Sequence, residues 1–134
     1  MLKQLSIYAE NKKGALQTMT NALYEAGINI WGSVTNDGAE YGINRMVVSD
    51  PEKAKGVLTE RGYLCRFVDV LAVEIEDKPG ALNTLLTALL DSNVNVDYTY
   101  LSFNRDSSTP VMILHTADPE EVEICLKAKG FKMC

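Results

Sequence analysis

The chain has 134 residues, a formal net charge of −5 at pH 7 and a hydrophobic content of 46%. This length and composition predict one ordinary domain or two very small ones with a packed core, and they exclude a disordered chain. The acidic balance and the lack of a basic cluster argue against a nucleic-acid partner, because such proteins concentrate Lys and Arg on one face.

The cysteines and the N-terminal stretch favour a cytoplasmic location. Cys65, Cys125 and Cys134 are odd in number and match no paired spacing of a zinc site or redox motif. The N-terminus lacks the apolar run of a signal peptide, and no apolar stretch approaches the roughly 18 residues of a membrane span. We therefore expect free thiols in a reducing cytoplasm and no membrane partner.

The first predicted strand and helix occur twice in the chain. "LSIYAE" (5–10) and "LAVEIE" (71–76) alternate apolar and polar residues, which predicts half-buried strands with residues such as Ser6 on the polar face. "NKKGALQTMTNALY" (11–24) and "DKPGALNTLLTALL" (77–90) follow, each a polar turn ending at one glycine and then apolar residues at helical spacing. The two stretches lie 66 positions apart and share K-x-G-A-L-x-T, so they form an internal repeat.

The remaining elements also come in pairs. The helices end before "GINI" and "NVNV", where Gly27 or Asn93 can take a left-handed conformation and β-branched residues restart a strand. Third strands are predicted at 41–48 and 111–116, after the turns "TNDGAE" and "NRDSSTP". In "SDPEKAKGVLTERGY" and "ADPEEVEICLKAKGF" an Asp cap precedes a Pro, which predicts second helices. Fourth strands are expected at 63–68 and, shorter, from 131 onward.

The order of elements is therefore βαββαβ, twice. It predicts an α+β protein of two ferredoxin-like units, each an antiparallel four-stranded sheet with two helices on one face, at residues 1–69 and 70–134. The stretch between them, "CRFVDVLAVEIED", resembles no flexible linker, so we expect the units to pack together. Exposed edge strands predict a homodimer or higher homo-oligomer.

The repeated loop has the chemistry of an α-amino-acid site. Unsatisfied N–H groups at a helix N-terminus favour a carboxylate, and a glycine lets a ligand approach the backbone. Asn11 or Asp77 could bind the ammonium group. The alternative is that the loop is only a tight strand-to-helix connection with a capping role, since a single glycine is a weak signal.

The same residues resemble a known family. "LAVEIEDKPGALNTLLTALLDSNVNVDYTYL" closely resembles the ACT domain, in which a D-K-P-G-x-L turn leads into the first helix and an Ile/Val-Asn-Ile/Val stretch follows it. "LSIYAENKKGALQTMTNALYEAGINIWGSV" resembles it too, with Lys13 in place of the Pro. The resemblance implies a tandem ACT protein that binds a free amino acid at interfaces between units.

It also implies where the effector binds: at the loop between the first strand and the first helix, beside the start of the second strand. Asn11 and Lys13 replace an acid and a Pro, which leaves two alternatives to a matched pair of sites: the two differ in ligand, or one of them is empty. The implied effector-binding residues are Asn11, Gly14, Ala15, Leu16, Ile28 and Asn29 in the first unit, and Asp77, Gly80, Ala81, Leu82, Val94 and Asn95 in the second.

No catalytic residue, metal site or cofactor is predicted. His115 is the single histidine, so no Ser-His-Asp or Cys-His arrangement can be argued, and Trp31, Tyr98 and Tyr100 are expected to pack in the core or at an interface. One hypothesis is a regulator that senses an amino acid and acts in trans on an enzyme of amino-acid metabolism. The other is a structural or interaction subunit with a degenerate pocket. RNA binding is disfavoured, because the sequence lacks the aromatic and basic strand motif that would stack bases.

Overall fold

A computed structural model describes residues 1–36 and 41–134 of the chain. Most of the predicted turn "TNDGAE" lies outside these residues. Contacts divide the chain into an N-terminal unit, residues 3–68, and a C-terminal unit, residues 69–134 together with Met1–Leu2. The described elements are β1 (Leu2–Glu10), α1 (Ala15–Glu25), β2 (Ile30–Asn36), β3 (Tyr41–Val48), α2 (Pro51–Glu60), β4 (Leu64–Glu74), α3 (Ala81–Asp91), β5 (Tyr98–Phe103), β6 (Pro110–His115) and α4 (Pro119–Ala128).

The N-terminal unit has the predicted βαββαβ order. Its strands lie in the order β2-β3-β1-β4, and β3 pairs antiparallel with both β1 and β2. The apolar faces of the sheet and of α1 and α2 form one core, which is fully buried at Leu5, Met19, Leu23 and Leu58. Burial of these side chains is the main favourable term in the stability of the unit.

The sheet of the C-terminal unit differs from the prediction at one strand. The later residues of β4 pair with β6, and β6 pairs with β5, all antiparallel. The predicted fourth strand from 131 onward is reduced to a single bridge between Val73 and Met133. Two backbone hydrogen bonds flank this bridge, from Glu74 N–H to Lys132 O (2.9 Å) and from Cys134 N–H to Ala72 O (2.8 Å). The segment beside β4 is too short for a regular ladder.

The start of β5 is also later than "NVNV" predicts. Asn93 takes the expected left-handed conformation, with φ 58°, and Val94 N–H donates to Leu89 O at 2.9 Å. Regular pairing with β6 then begins only at Tyr98, opposite His115. Residues 94–97 thus connect α3 to the sheet without extending the strand, whereas in the N-terminal unit β2 begins at Ile30, directly after the segment that follows Gly27.

The alternating sequence of β1 predicts one buried and one exposed face, but both faces of the strand carry buried residues. Ser6, expected on a polar exposed face, is only 7% exposed, and Gln4 beside it is fully buried. The Gln4 amide donates to the Ser6 hydroxyl at 3.2 Å. Because this bond satisfies polar atoms of both side chains, a strand lying between two others can carry them away from water.

Asp50 and Asp118 are the N-cap residues of α2 and α4, as predicted, but only Asp50 makes a side-chain capping bond. The Asp50 carboxylate accepts from Lys53 N–H at 3.1 Å, whereas Asp118 makes no side-chain capping bond. The first turn of α4 already carries Glu120 and Glu121, while that of α2 carries one acid. Repulsion from these two carboxylates disfavours a capping bond by the Asp118 carboxylate.

Replacing the two aspartates should therefore have unequal effects. We expect Asp50→Ala to lower the free energy of unfolding by about 1 kcal/mol, because it leaves a helix N–H without its acceptor. Asp118→Ala should cost less than about half of that. Urea denaturation of the two variants measures the difference, and an equal loss in both would show that Asp50 does not act through its cap.

Candidate functional site

The helix N-termini of the repeated loop are built alike in the two units. Gly14 and Gly80 precede α1 and α3 with φ of 83° and 87°, a left-handed conformation that glycine adopts without a steric cost. Each N-cap residue is a glycine, so it has no side chain that could accept from the first turn of its helix. The Thr18 and Thr84 hydroxyls donate to the carbonyl oxygens of Gly14 and Gly80 at 2.9 and 3.0 Å. These bonds engage the glycine carbonyls rather than the N–H groups of the first helical turn. The first helical N–H groups, of Ala15 and Ala81, donate to Lys12 O and Lys78 O at 3.2 Å, so an anion at either helix end would bind to the N–H groups that follow them.

A cavity of about 310 Å³ lies against this loop in the N-terminal unit. It brings together four of the predicted effector-binding residues with the end of β1 and with two positions on β3. The lining is Ala9, Glu10, Asn11, Lys12, Gly14, Ala15, Leu16, Gln17, Thr35, Gly42 and Asn44.

Asn44 and Thr35 are members of this lining that the sequence analysis missed. Asn44 is 4% exposed, and its amide donates to Ser33 Oγ at 3.1 Å and to Thr35 Oγ1 at 2.8 Å. These three side chains form a polar cluster on β2 and β3. A signal was present, because Asn44 is a polar residue inside the apolar predicted strand "YGINRMVV".

The other predicted residues of the N-terminal unit lie elsewhere. Ile28 and Asn29 follow the C-terminal end of α1, where they line a separate cavity of about 410 Å³ with Tyr24 and Gln17. A helix of this length rises about 16 Å, so its two ends lie far apart. Within the unit, the structure does not bring Ile28 and Asn29 to the Gly14 loop.

The C-terminal unit shows the same separation. Ala81 lines a cavity of about 390 Å³ between the loop and the end of α4, whereas Asp77, Gly80 and Leu82 are not among its lining residues. Val94 and Asn95 instead line a cavity of about 420 Å³ at the opposite end of α3.

The C-terminal unit also lacks the polar cluster. Leu101 and Met112 stand where the N-terminal unit has Thr35 and Asn44, and they face each other across β5 and β6 as Thr35 and Asn44 do across β2 and β3. The two copies of the loop therefore adjoin strands of different chemistry.

The loop lysines are each paired with a glutamate two residues earlier. Lys12 Nζ lies 3.1 Å from Glu10, and Lys78 Nζ lies 2.7 Å from Glu76. All four side chains are exposed, so each pair contributes little stability and is screened by salt. An anion at either loop would depend chiefly on the backbone N–H groups.

His115 is held by partners that are distant in sequence. Its Nδ1 lies 2.8 Å from the Asp97 carboxylate, and its ring stacks on Tyr98 with centroids 4.9 Å apart.

Two cysteine thiols have raised pKa values. Burial raises the pKa of the Cys65 thiol. Burial, and after it the negative charge of Glu74, raises the pKa of the Cys134 thiol. Protonated thiols are weak nucleophiles at neutral pH.

Two further findings concern the described residues. They contain no group of three His, Cys, Asp or Glu side chains placed to hold a metal ion. None of the helices in residues 1–36 and 41–134 is long and apolar enough to cross a membrane.

The repeated α+β units and their paired glycine loops define a tandem of two related domains, consistent with two ferredoxin-like units. The chain belongs to the ACT domain pair family, whose model matches residues 1–131. This is a family of regulatory domains. A search of curated protein sequences finds no match.

Solved structures of similar fold cover nearly the whole chain. A crystal structure of a protein from Bacteroides thetaiotaomicron is 30% identical, with a TM-score of 0.91 over 99% of this chain and 91% of that one. The regulatory subunit of aspartate kinase from Thermus thermophilus is 16% identical, with a TM-score of 0.67 over 96% and 91%. The corresponding subunit from Thermus flavus is 19% identical, with a TM-score of 0.61 over 96% and 91%. At these lower identities the likeness concerns the fold.

Proposed function

We propose that the protein is a regulator that binds a free α-amino acid and acts in trans on an enzyme of amino-acid metabolism. Membership of the ACT domain pair family supports a regulatory role. The observation that carries the proposal is the N-terminus of α1, where Gly14 adjoins a cavity that is also lined by the buried Asn44. The cytoplasmic location predicted from the sequence is part of the same proposal.

The cavity of the N-terminal unit suits the three parts of an amino acid. The N–H groups at the start of α1 and the helix dipole would hold the α-carboxylate. Oxygen atoms of Glu10 and Asn11 would accept hydrogen bonds from the ammonium group. Thr35 and Asn44 would contact the side chain, and their polar atoms favour an effector with a polar side chain.

In the C-terminal unit, the residues beside the repeated loop favour the hypothesis of a degenerate pocket. With Leu101 and Met112 at the positions of Thr35 and Asn44, it offers no polar contact to an effector side chain there. Asp77, Gly80, Ala81 and Leu82 would then serve a different ligand or a degenerate pocket. Four predicted contacts would reach an effector only at the glycine loop of an adjacent unit or of a second copy of the chain. They are Ile28, Asn29, Val94 and Asn95.

A thermal-shift panel of the twenty amino acids tests the regulatory function. An effector that binds only the folded protein, at about 100 times its dissociation constant, adds roughly 2.7 kcal/mol to the free energy of unfolding. We expect one polar amino acid, or a few related ones, to raise the midpoint by several degrees. The amide of the same amino acid should lose most of that shift, because it lacks the anion that the α1 N–H groups are proposed to hold.

As a control, a sample of the purified protein is unfolded and analysed by mass spectrometry for a released amino acid. A ligand retained from purification would mask any shift of the melting midpoint. A full shift with the amide would place recognition away from the Gly14 loop. No shift with any of the twenty, in ligand-free protein, would favour a structural subunit.

We also propose that the protein forms a homodimer or higher homo-oligomer. In the described C-terminal unit β5 is bonded to β6 alone, and Leu101 and Phe103 on it are 50% and 51% exposed. An apolar edge strand of this kind is normally covered by another chain. Light scattering should give a mass above the 14.8 kDa of one chain, and a clean monomer at tens of micromolar would contradict this proposal.

A further inference from the structure

The cavity of about 420 Å³ in the C-terminal unit has a buried hydroxyl without a partner. It lies between the C-terminal end of α3, the segment before β5 and the start of α4. Thr116 lines it, is 2% exposed, and its Oγ1 makes no hydrogen bond within the described chain. Thr116 follows β6 on the same side as Met112 and Leu114, which pack into the core below the helices. A buried hydroxyl costs free energy until something binds it.

The equivalent corner of the N-terminal unit is closed by hydrogen bonds. There, 68 positions earlier, the apolar Val48 stands in place of Thr116. Ser49 Oγ accepts from Asn29 N–H at 2.9 Å, and the Asp50 carboxylate caps α2. The Ser49 hydroxyl and the Asp50 carboxylate therefore each have a hydrogen-bond partner within the unit.

In the C-terminal unit each of these closing contacts is missing. Ala117 replaces Ser49 and has no hydroxyl, while Asp118 does not cap its helix. The corner thus combines an unbonded hydroxyl with a carboxylate that the helix does not use. Since the same fold closes this corner in the other unit, the difference arises from three consecutive residues of the sequence.

The charge of the cavity selects a cation. Its lining includes the carboxylate residues Asp97, Asp118 and Glu121, and none of the described lining residues is Lys or Arg. The described residues contain no three-ligand group for a metal ion. A primary ammonium group instead needs hydrogen-bond acceptors spread around three N–H donors. The Thr116 hydroxyl and the Asp118 and Glu121 carboxylates are candidate acceptors, whereas the Asp97 carboxylate already bonds His115 and Asn95.

We propose that this cavity binds a small molecule through a primary ammonium group, with Thr116 accepting from it and Asp118 supplying the opposite charge. The cavity is distinct from the Gly14 loop, and its lining includes Val94 and Asn95, which are also among the predicted effector-binding residues. Its volume admits a short alkylammonium rather than a folded partner.

The test is an NMR titration of the whole chain with 1,4-diaminobutane. We expect saturable shifts at the backbone amides of Thr116 and Glu121. Tetramethylammonium, which carries the same type of charge but has no N–H donor, should cause no saturable shift there. Thr116→Val, which restores the residue type of Val48, and Asp118→Asn should each weaken binding by about tenfold or more.

Glu120→Gln is the matched control, because it removes a charge from the same helix turn at a residue that does not line the cavity. It should change the affinity by less than about twofold. Asp118 is exposed and makes no capping bond, so Asp118→Asn is expected to fold normally. The proposal is overturned if diaminobutane causes no saturable shift, if tetramethylammonium acts equally, or if both Thr116→Val and Asp118→Asn bind like the parent.

Discussion

Gly14→Asp should weaken binding of the amino-acid effector by more than about a hundredfold. Gly14 lines the cavity, and a Cβ added there would meet nothing within 4 Å, so the new carboxylate has space beside the proposed anion position. Two carboxylates about 4 Å apart at an effective dielectric constant of 20 repel by roughly 4 kcal/mol, and partial exposure would still leave the 2.7 kcal/mol that a hundredfold requires. Calorimetric titration of the effector identified by thermal shift measures the loss.

Gly14→Asn separates the charge from the backbone effect. Asp and Asn tolerate the left-handed conformation better than other non-glycine residues. Each should lower the free energy of unfolding by roughly 1 kcal/mol at φ 83°. Asn has nearly the same shape as Asp without the charge, so it should retain most of the binding. If the two variants bind equally, the anion does not lie at the start of α1.

The corresponding pair, Gly80→Asp and Gly80→Asn, examines the second loop at φ 87°. If the C-terminal copy binds no amino acid, neither variant should alter the effector affinity. A loss confined to Gly80→Asp would instead assign an anion site to α3.

Leu89→Ala should destabilise the protein by about 3 kcal/mol. Leu89 is 1% exposed in the core beneath α3, and truncation there removes buried apolar surface and leaves a cavity. This is a large part of the 5 to 15 kcal/mol that is typical of a whole domain. Urea denaturation followed by circular dichroism measures the change.

Leu90→Ala is the control for this prediction. Leu90 is the next residue of the same helix but is 75% exposed, so the same truncation should change stability by less than about 0.5 kcal/mol. If Leu90→Ala proved as costly as Leu89→Ala, its side chain would have to be covered in solution, which would favour the predicted oligomer.

The sequence by itself determined the repeat, the element types and the family. A period of two before Gly14 and Gly80, and a helical period after them, are local signals that depend on which face of each element is apolar. The left-handed glycines and Asn93 could also be predicted, because the preference for positive φ belongs to the residue and its position at a helix end. The Asp cap of α2 follows from the same local chemistry.

Only the tertiary structure decided which of these residues share a cavity. Ile28 and Gly14 stand at opposite ends of α1, a separation that comes from helix length and chain direction rather than from residue type. Thr35 and Asn44 meet through the register of β2 and β3, and the packing around the end of β6 buries the Thr116 hydroxyl without a hydrogen-bond partner. Such pairings join residues from separate elements, so local patterns carry no information about them until the sheet and helices are packed.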